Sequence, residues 1–259
     1  MKNKWTFKNK ELGDEIFKAH KFDGKVFVCQ PNNVRFEMII KANDDESLKN
    51  LFKFKSNWFR IRKIDWFQRT GIIETACIPF DIATKKETYS DLFSRLKKIA
   101  KSWDENCDVY VTLNRKGLSD EQIAKISYFF NNFVVMEHYA LRVLGRCEPT
   151  GLFAVINSEF ANNIKPFSEV LLKKKKYIKM LENEEIKRVK NYRSPISLSE
   201  ENITFKMARG SFRENRIVSI IKFWNSVIEY VKSTKWHELD SVKFTDILLK
   251  DENMRVYLC

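Results

Sequence analysis

Chemistry-bearing side chains concentrate in the stretch ITFKMARGSFRENR, residues 203–216. Period-two alternation puts Ile203, Phe205 and Met207 on one face of a strand and Thr204 and Lys206 on the other. Arg209-Gly210-Ser211 then breaks the pattern immediately before a helical run. A turn of this composition presents backbone N–H groups, a hydroxyl and a guanidinium together, which suits an anion such as a phosphate or carboxylate. The same spacing also fits a core strand and a core helix joined by a glycine turn.

Other groups extend this face. In CDVYVTL (107–113), Tyr110 and Thr112 lie opposite Val109, Val111 and Leu113, and Arg115 follows in the turn Asn114-Arg115-Lys116-Gly117. Arg142 and Arg146 are four apart in a helical stretch, so they share a face that can clamp a phosphate or carboxylate or simply meet solvent. Glu74 lies in GIIETACIPF with Ala76 on its face and Pro79 closing the strand. Trp58, Arg60 and Arg62, continuing to Arg69, interleave aromatic and basic residues. That pattern serves nucleic acid by stacking and phosphate contact, or forms an edge strand with solvated arginines.

The 259 residues carry a formal net charge of +13, which favours acidic partners: an anionic ligand, a nucleotide, nucleic acid or an acidic protein. Apolar residues make up 44%, and 21 Phe and 6 Trp supply ample core material. The 7 Gly and 5 Pro argue against low complexity. The 5 Cys are scattered without CxxC spacing, and the 3 His are far apart, so no zinc or redox motif is expected and metal ligands are assigned to none. This Cys usage, with no apolar leader or membrane-length run, leads us to expect a cytoplasmic protein without membrane attachment.

The elements that must position these residues are legible in outline. Residues 1–33 read as a polar N-terminal arm and a first strand, KVFVC, and 34–259 as a single α+β domain. VRFEMIIK puts Val34, Phe36, Met38 and Ile40 on one face, with Arg35, Glu37 and Lys41 opposite. A helix start is expected at Asn43-Asp44-Asp45, a strand or two over 57–67, a helix over 89–103, and a helix opened by the capping-box spacing Ser119–Gln122. Residues 167–190 read as a basic helix, 191–202 as a loop, and 217–231 as a long apolar-faced helix. The C-terminus reads as a short helix or loop with a final strand at MRVYLC. The expected architecture is an antiparallel or mixed sheet with helices packed mainly on one face.

From Glu74 onward this order of elements resembles the amidoligase family of glutamine-synthetase-like carboxylate–amine ligases, over roughly residues 34–231. IIETACIPF resembles the family's glutamate-and-proline strand, keeping Glu74 and Pro79; DVYVTLNRKGLSDEQIAKISYFF its histidine strand, turn and helix; NITFKMARGSFRENR its Glu-x-Arg strand and Gly-Thr turn, keeping Gly210 and Ser211. The resemblance implies a carboxylate–amine ligase fold, an origin in phages or mobile elements, and ATP with Mg²⁺ as cofactors if ligase activity survives. The departures fall on the chemistry. The family's histidine positions are Tyr110 and Thr112, its Glu-x-Arg positions are Thr204 and Lys206, and its early glutamate strand keeps only Glu37, out of phase. Neither threonine nor tyrosine replaces a carboxylate or imidazole in holding Mg²⁺. Glu74 and Lys206 remain as the catalytic candidates, Lys206 as a cation for acyl-phosphate transfer.

The functional expectation is therefore a degenerate amidoligase-like binding protein. Its anion-binding face would comprise Tyr110, Thr112, Arg115, Arg142, Arg146, Thr204, Arg209, Gly210 and Ser211. One alternative is an active ATP-dependent ligase using Glu37, Glu74 and Glu159. Another is a nucleic-acid-binding protein using the 58–69 stretch and the 173–190 helix. A nuclease fits less well, because no PD…ExK pattern or histidine pair is present.

Overall fold

The computed structural model describes residues 29, 31–52, 59–65, 67–75, 77–102, 108–119, 121–123, 125, 126, 196–199, 201–235 and 238–258. Outside them lie the arm and most of the first expected strand, Trp58, Glu159, the arginine pair Arg142 and Arg146, and the basic helix over 167–190.

The sheet is organised around β1 (Asn33–Ala42). Alternation makes this strand two-faced, with Val34, Phe36, Met38 and Ile40 fully buried. Both of its edges are paired. β3 (Thr70–Thr75) and the short β4 (Ile78–Pro79) line one edge. β6 (Asp108–Asn114) and the short β5 (Ala100–Lys101) line the other. β2 (Phe59–Asp65) extends the β3 side; β8 (Asn202–Arg209) and β7 (Ile196–Leu198) extend the β6 side. The order is β2-β3-β1-β6-β8-β7, with every pairing antiparallel. Among the described residues, the expectation of an antiparallel sheet within an α+β fold therefore holds.

Helices cover the apolar face. α1 (Asp45–Phe52) follows Asp44, whose carboxylate accepts from the Ser47 N–H, and buries Leu48 and Leu51. After the single-turn α2 (Phe80–Ala83), α3 (Glu87–Leu96) buries Tyr89, Leu92, Phe93 and Leu96. Tyr89 meets Phe36 of β1 edge-on, and Phe93 meets Phe212. The long α4 (Glu214–Ser233) carries the stripe Ile217, Ile220, Ile221, Trp224, Val227, Ile228 and Val231, all buried. Phe205 of β8 and Trp224 of α4 stack with ring centroids 4.3 Å apart and planes 6° from parallel.

Four expectations need correction. The helix expected over 89–103 stops at Leu96; a turn follows and Ala100–Lys101 pair with β1, because the β1 edge beyond β6 needs a partner. The loop expected over 191–202 contains β7, which forms a tight hairpin with β8. The expected C-terminal strand is helical: α5 (Ser241–Leu249) and α6 (Glu252–Leu258) pack against α4 and bury Phe244, Leu248 and Met254. On β8 the buried set is Ile203, Phe205 and Ala208, a step of three, because a bulge opposite Tyr110 breaks the simple alternation.

Candidate anion-binding site

The polar face of the sheet gathers charge by register. Glu37 on β1 stands directly opposite Glu74 on β3 and Tyr110 on β6, and Arg35 stands opposite Thr112. Two carboxylates so placed repel one another. Three arginines resolve the repulsion. Arg35 donates from Nη1 to Glu74 Oε1 at 2.8 Å and pairs through Nη2 with Glu37 Oε1 at 3.1 Å. Arg60, opposite Glu74 on β2, pairs with Glu74 Oε2 through Nη2 at 2.8 Å and Nε at 2.9 Å. Arg62 donates to Glu37 Oε2 at 2.8 Å.

Every carboxylate oxygen thus meets a guanidinium, and three positive groups against two negative leave one net positive charge. Glu74 is 1% exposed, while the Arg62 side chain, at 41%, reaches solvent. A divalent cation placed here would meet a positive field and committed oxygens. No group of three or more His, Cys, Asp or Glu able to hold a metal exists among the described residues.

The register makes Glu74 the Cα partner of Glu37. It also places Arg60 and Arg62 on these carboxylates. Arg69 stands apart from them, in a left-handed turn with φ 52° and its Nε 2.8 Å from Asp45. The described arginines of the 58–69 stretch therefore do not line up as one strip.

Farther along the same sheet, Thr112 and Thr204 are cross-strand partners with hydroxyls 2.9 Å apart. Tyr110 and Lys206 are half-buried. Arg115 is committed to the β7–β8 hairpin, donating from Nη1 to the Ser199 carbonyl and from its backbone N–H to the Glu201 carbonyl.

The Arg209-Gly210-Ser211 turn lies elsewhere, at the β8–α4 junction. It borders an open cavity of about 700 Å³. Lys97, Lys101, Arg209, Arg213 and Arg216 line the cavity, and no acidic residue among the described ones does. The local geometry follows from the sequence. The Phe212 N–H donates to Ser102 Oγ at 3.1 Å, pinning the turn to the segment after β5. The Arg213 N–H donates to Ser211 Oγ at 3.1 Å, so that hydroxyl is an acceptor there and keeps its hydrogen to donate. Arg213 is the N-cap of the 20-residue α4 and makes no side-chain cap bond, so the positive end of the helix dipole adds to the cationic lining. Glu214 lies in the first turn of α4, and Asp108 is the cross-strand partner of Arg209.

The structure thus brings Arg209, Gly210 and Ser211 to one cavity and leaves Tyr110, Thr112 and Thr204 on other parts of the sheet and Arg115 just past the end of β6. Sequence reasoning missed Arg35, Lys97, Lys101, Arg213 and Arg216. Each carried a signal: Lys97 and Lys101 are four apart, Arg213 and Arg216 three apart, and Arg35 alternates in phase with Glu37. No family model matches the chain, and no curated protein matches it.

Proposed function

We propose that this chain is an anion-binding protein on an amidoligase-like scaffold, which holds a phosphate- or carboxylate-bearing ligand in the cavity at the Arg209-Gly210-Ser211 turn without metal-dependent catalysis. One observation carries the reading: Lys97, Lys101, Arg209, Arg213 and Arg216 converge on one cavity with no acidic lining among the described residues. Such a lining attracts an anion and disfavours a bare divalent cation. The β8–turn–α4 arrangement sets the Ser211 hydroxyl and the N-terminal end of α4 beside the cations.

The active-ligase reading draws on a different observation, the juxtaposition of Glu37 and Glu74. Against it, both carboxylates are already held by arginines.

Calorimetry of the purified chain with tripolyphosphate and with ATP, each with and without Mg²⁺, separates the two. Binding of both polyanions that is indifferent to Mg²⁺ supports the anion-binding reading. It should weaken about tenfold in Arg213→Glu, a loss of about 1.4 kcal/mol. ATP binding that requires Mg²⁺ and survives Arg213→Glu would favour the ligase, and absence of polyanion binding would remove the proposed function.

A further inference from the structure

Cys29 and Cys77 are 48 positions apart in sequence, yet their sulfurs are 2.9 Å apart. Neither is in a disulfide; Cys29 is fully buried and Cys77 half-buried. Cys29 is held firmly. Its N–H donates to Asn202 Oδ1 at 3.3 Å, its carbonyl accepts from Asn114 Nδ2, and its thiol points to the Thr112 carbonyl at 3.6 Å. Those partners belong to the ends of β6 and β8. Cys77 lies between β3 and β4, on the opposite side of β1. The two thiols therefore meet across the central strand.

We infer that Cys29 and Cys77 form an oxidisable dithiol, which a peroxide converts to a disulfide joining the β3–β4 junction to the β6–β8 end of the sheet. Three features support it. Forming an S–S bond of about 2.05 Å requires each sulfur to move only about 0.4 Å. The exposure is asymmetric, as an attacking and a resolving thiol require: Cys77 is reachable and Cys29 waits behind it. The charge environment is asymmetric in the same sense. A hydrogen bond from Cys29, helped by the nearby Arg35 guanidinium, pulls the Cys77 thiol below its ordinary range. The same contact and burial push Cys29 up.

The chemistry balances with hydrogen peroxide as the oxidant. The Cys77 thiolate attacks one peroxide oxygen, breaks the O–O bond and becomes a sulfenic acid, and the departing hydroxide takes a proton to leave as water. The Cys29 sulfur then attacks the Cys77 sulfur, its proton leaves with the hydroxyl as a second water, and the S–S bond forms. Two thiols are oxidised by two electrons as one peroxide is reduced to two waters.

The test treats the purified full-length chain with hydrogen peroxide, alkylates the remaining thiols and maps the peptides by mass spectrometry. The expected result is a single species in which the Cys29 and Cys77 peptides are linked, the free-thiol count falls by two, and dithiothreitol reverses both changes. The linked form should melt about 5–10 °C higher than the reduced form. In Cys29→Ser, Cys77 should instead accumulate as a sulfenic acid that dimedone traps. Peroxide-treated wild-type chain in which Cys29 stays alkylatable, or in which Cys77 passes to sulfinic acid without linking, would overturn the inference whether or not the variant folds.

Discussion

Glu37 and Glu74 face each other across β1 and β3, and the single guanidinium of Arg35 bridges them at 3.1 and 2.8 Å. A pair of acids on adjacent strands invites assignment as metal ligands. Here the pair instead takes part in a buried ionic cluster that ties together three neighbouring strands, since Arg60 and Arg62 join it from β2.

Removing one charge from such a cluster costs more than the cluster contributes, because the partners stay buried. Glu74→Gln leaves Arg60 with no carboxylate from Glu74 and Arg35 with one carboxylate fewer. We expect a loss of about 3–5 kcal/mol in urea unfolding. Melting of the wild-type chain should be the same with Mg²⁺ and with chelator. A Mg²⁺-dependent rise in Tm that vanishes in Glu74→Gln would instead identify the cluster as a metal site.

The cavity at the β8–α4 junction should respond to screening. Lys97, Lys101 and Arg213 are exposed, so raising salt from about 50 to 200 mM should weaken tripolyphosphate binding several-fold. Lys97→Glu and Lys101→Glu together should weaken binding and flatten the salt dependence, with unfolding unchanged within about 0.5 kcal/mol. A salt-independent affinity would contradict a charge-based site.

The Phe205–Trp224 stack is the main aromatic bridge between β8 and α4 among the described residues. Trp224→Ala should cost about 3–5 kcal/mol in chemical denaturation. Trp224→Phe, which keeps a ring against Phe205 and the edge contact with Phe223, should cost clearly less. Equal losses would show that ring stacking is not what the site requires.

Lys222 of α4 pairs with Asp251 at the start of α6, Nζ to Oδ2 at 2.9 Å. Burial works against the charged carboxylate, but the Lys222 ammonium and the Asn253 amide outweigh it and hold Asp251 below the usual carboxylate range. A carboxyl group lowered in the folded state stabilises the fold above its unfolded pKa. That contribution is lost as pH falls through the folded value. Lys222→Met should therefore lower the urea midpoint near neutral pH, and the difference should shrink as pH falls below the ordinary carboxylate pKa of about 3.9. A difference that grows in acid would reverse the sign and refute the argument.

The sequence was most readable where one local rule decides the outcome. Ser119 and Gln122 form the reciprocal capping box their spacing implies: the Ser119 N–H donates to Gln122 Oε1 at 2.9 Å, and the Gln122 N–H to Ser119 Oγ at 3.2 Å. Gly117 adopts φ 93° in the turn expected at 114–117. The alternation of β1 and the stripe of α4 likewise survive intact. Decisions made by distant partners were hidden. β7 is only three residues long and exists because β8 offers it an edge. MRVYLC looks strand-like by composition, yet Met254 is buried in a helix packed on α4. The meeting of Glu37 with Glu74 depends on strand register, which no linear spacing encodes. The cavity was half-legible: the turn at 209–211 stood out, while Lys97 and Lys101 reach it only because α3 ends early.

The pairing of Thr112 with Thr204 closes a span of 92 positions. During synthesis β1, β3 and β6 are complete long before β8 exists. Until residues 202–209 emerge β6 lacks its β8 partner, and Val109, Val111 and Leu113 lack the β8 and α4 side chains that later cover them. The growing chain therefore passes through a stage in which its half-built sheet can recruit the matching edge of a neighbour. At high expression the yield of this protein should be governed by how soon residues 202–233 emerge, more than by how stable the finished fold is.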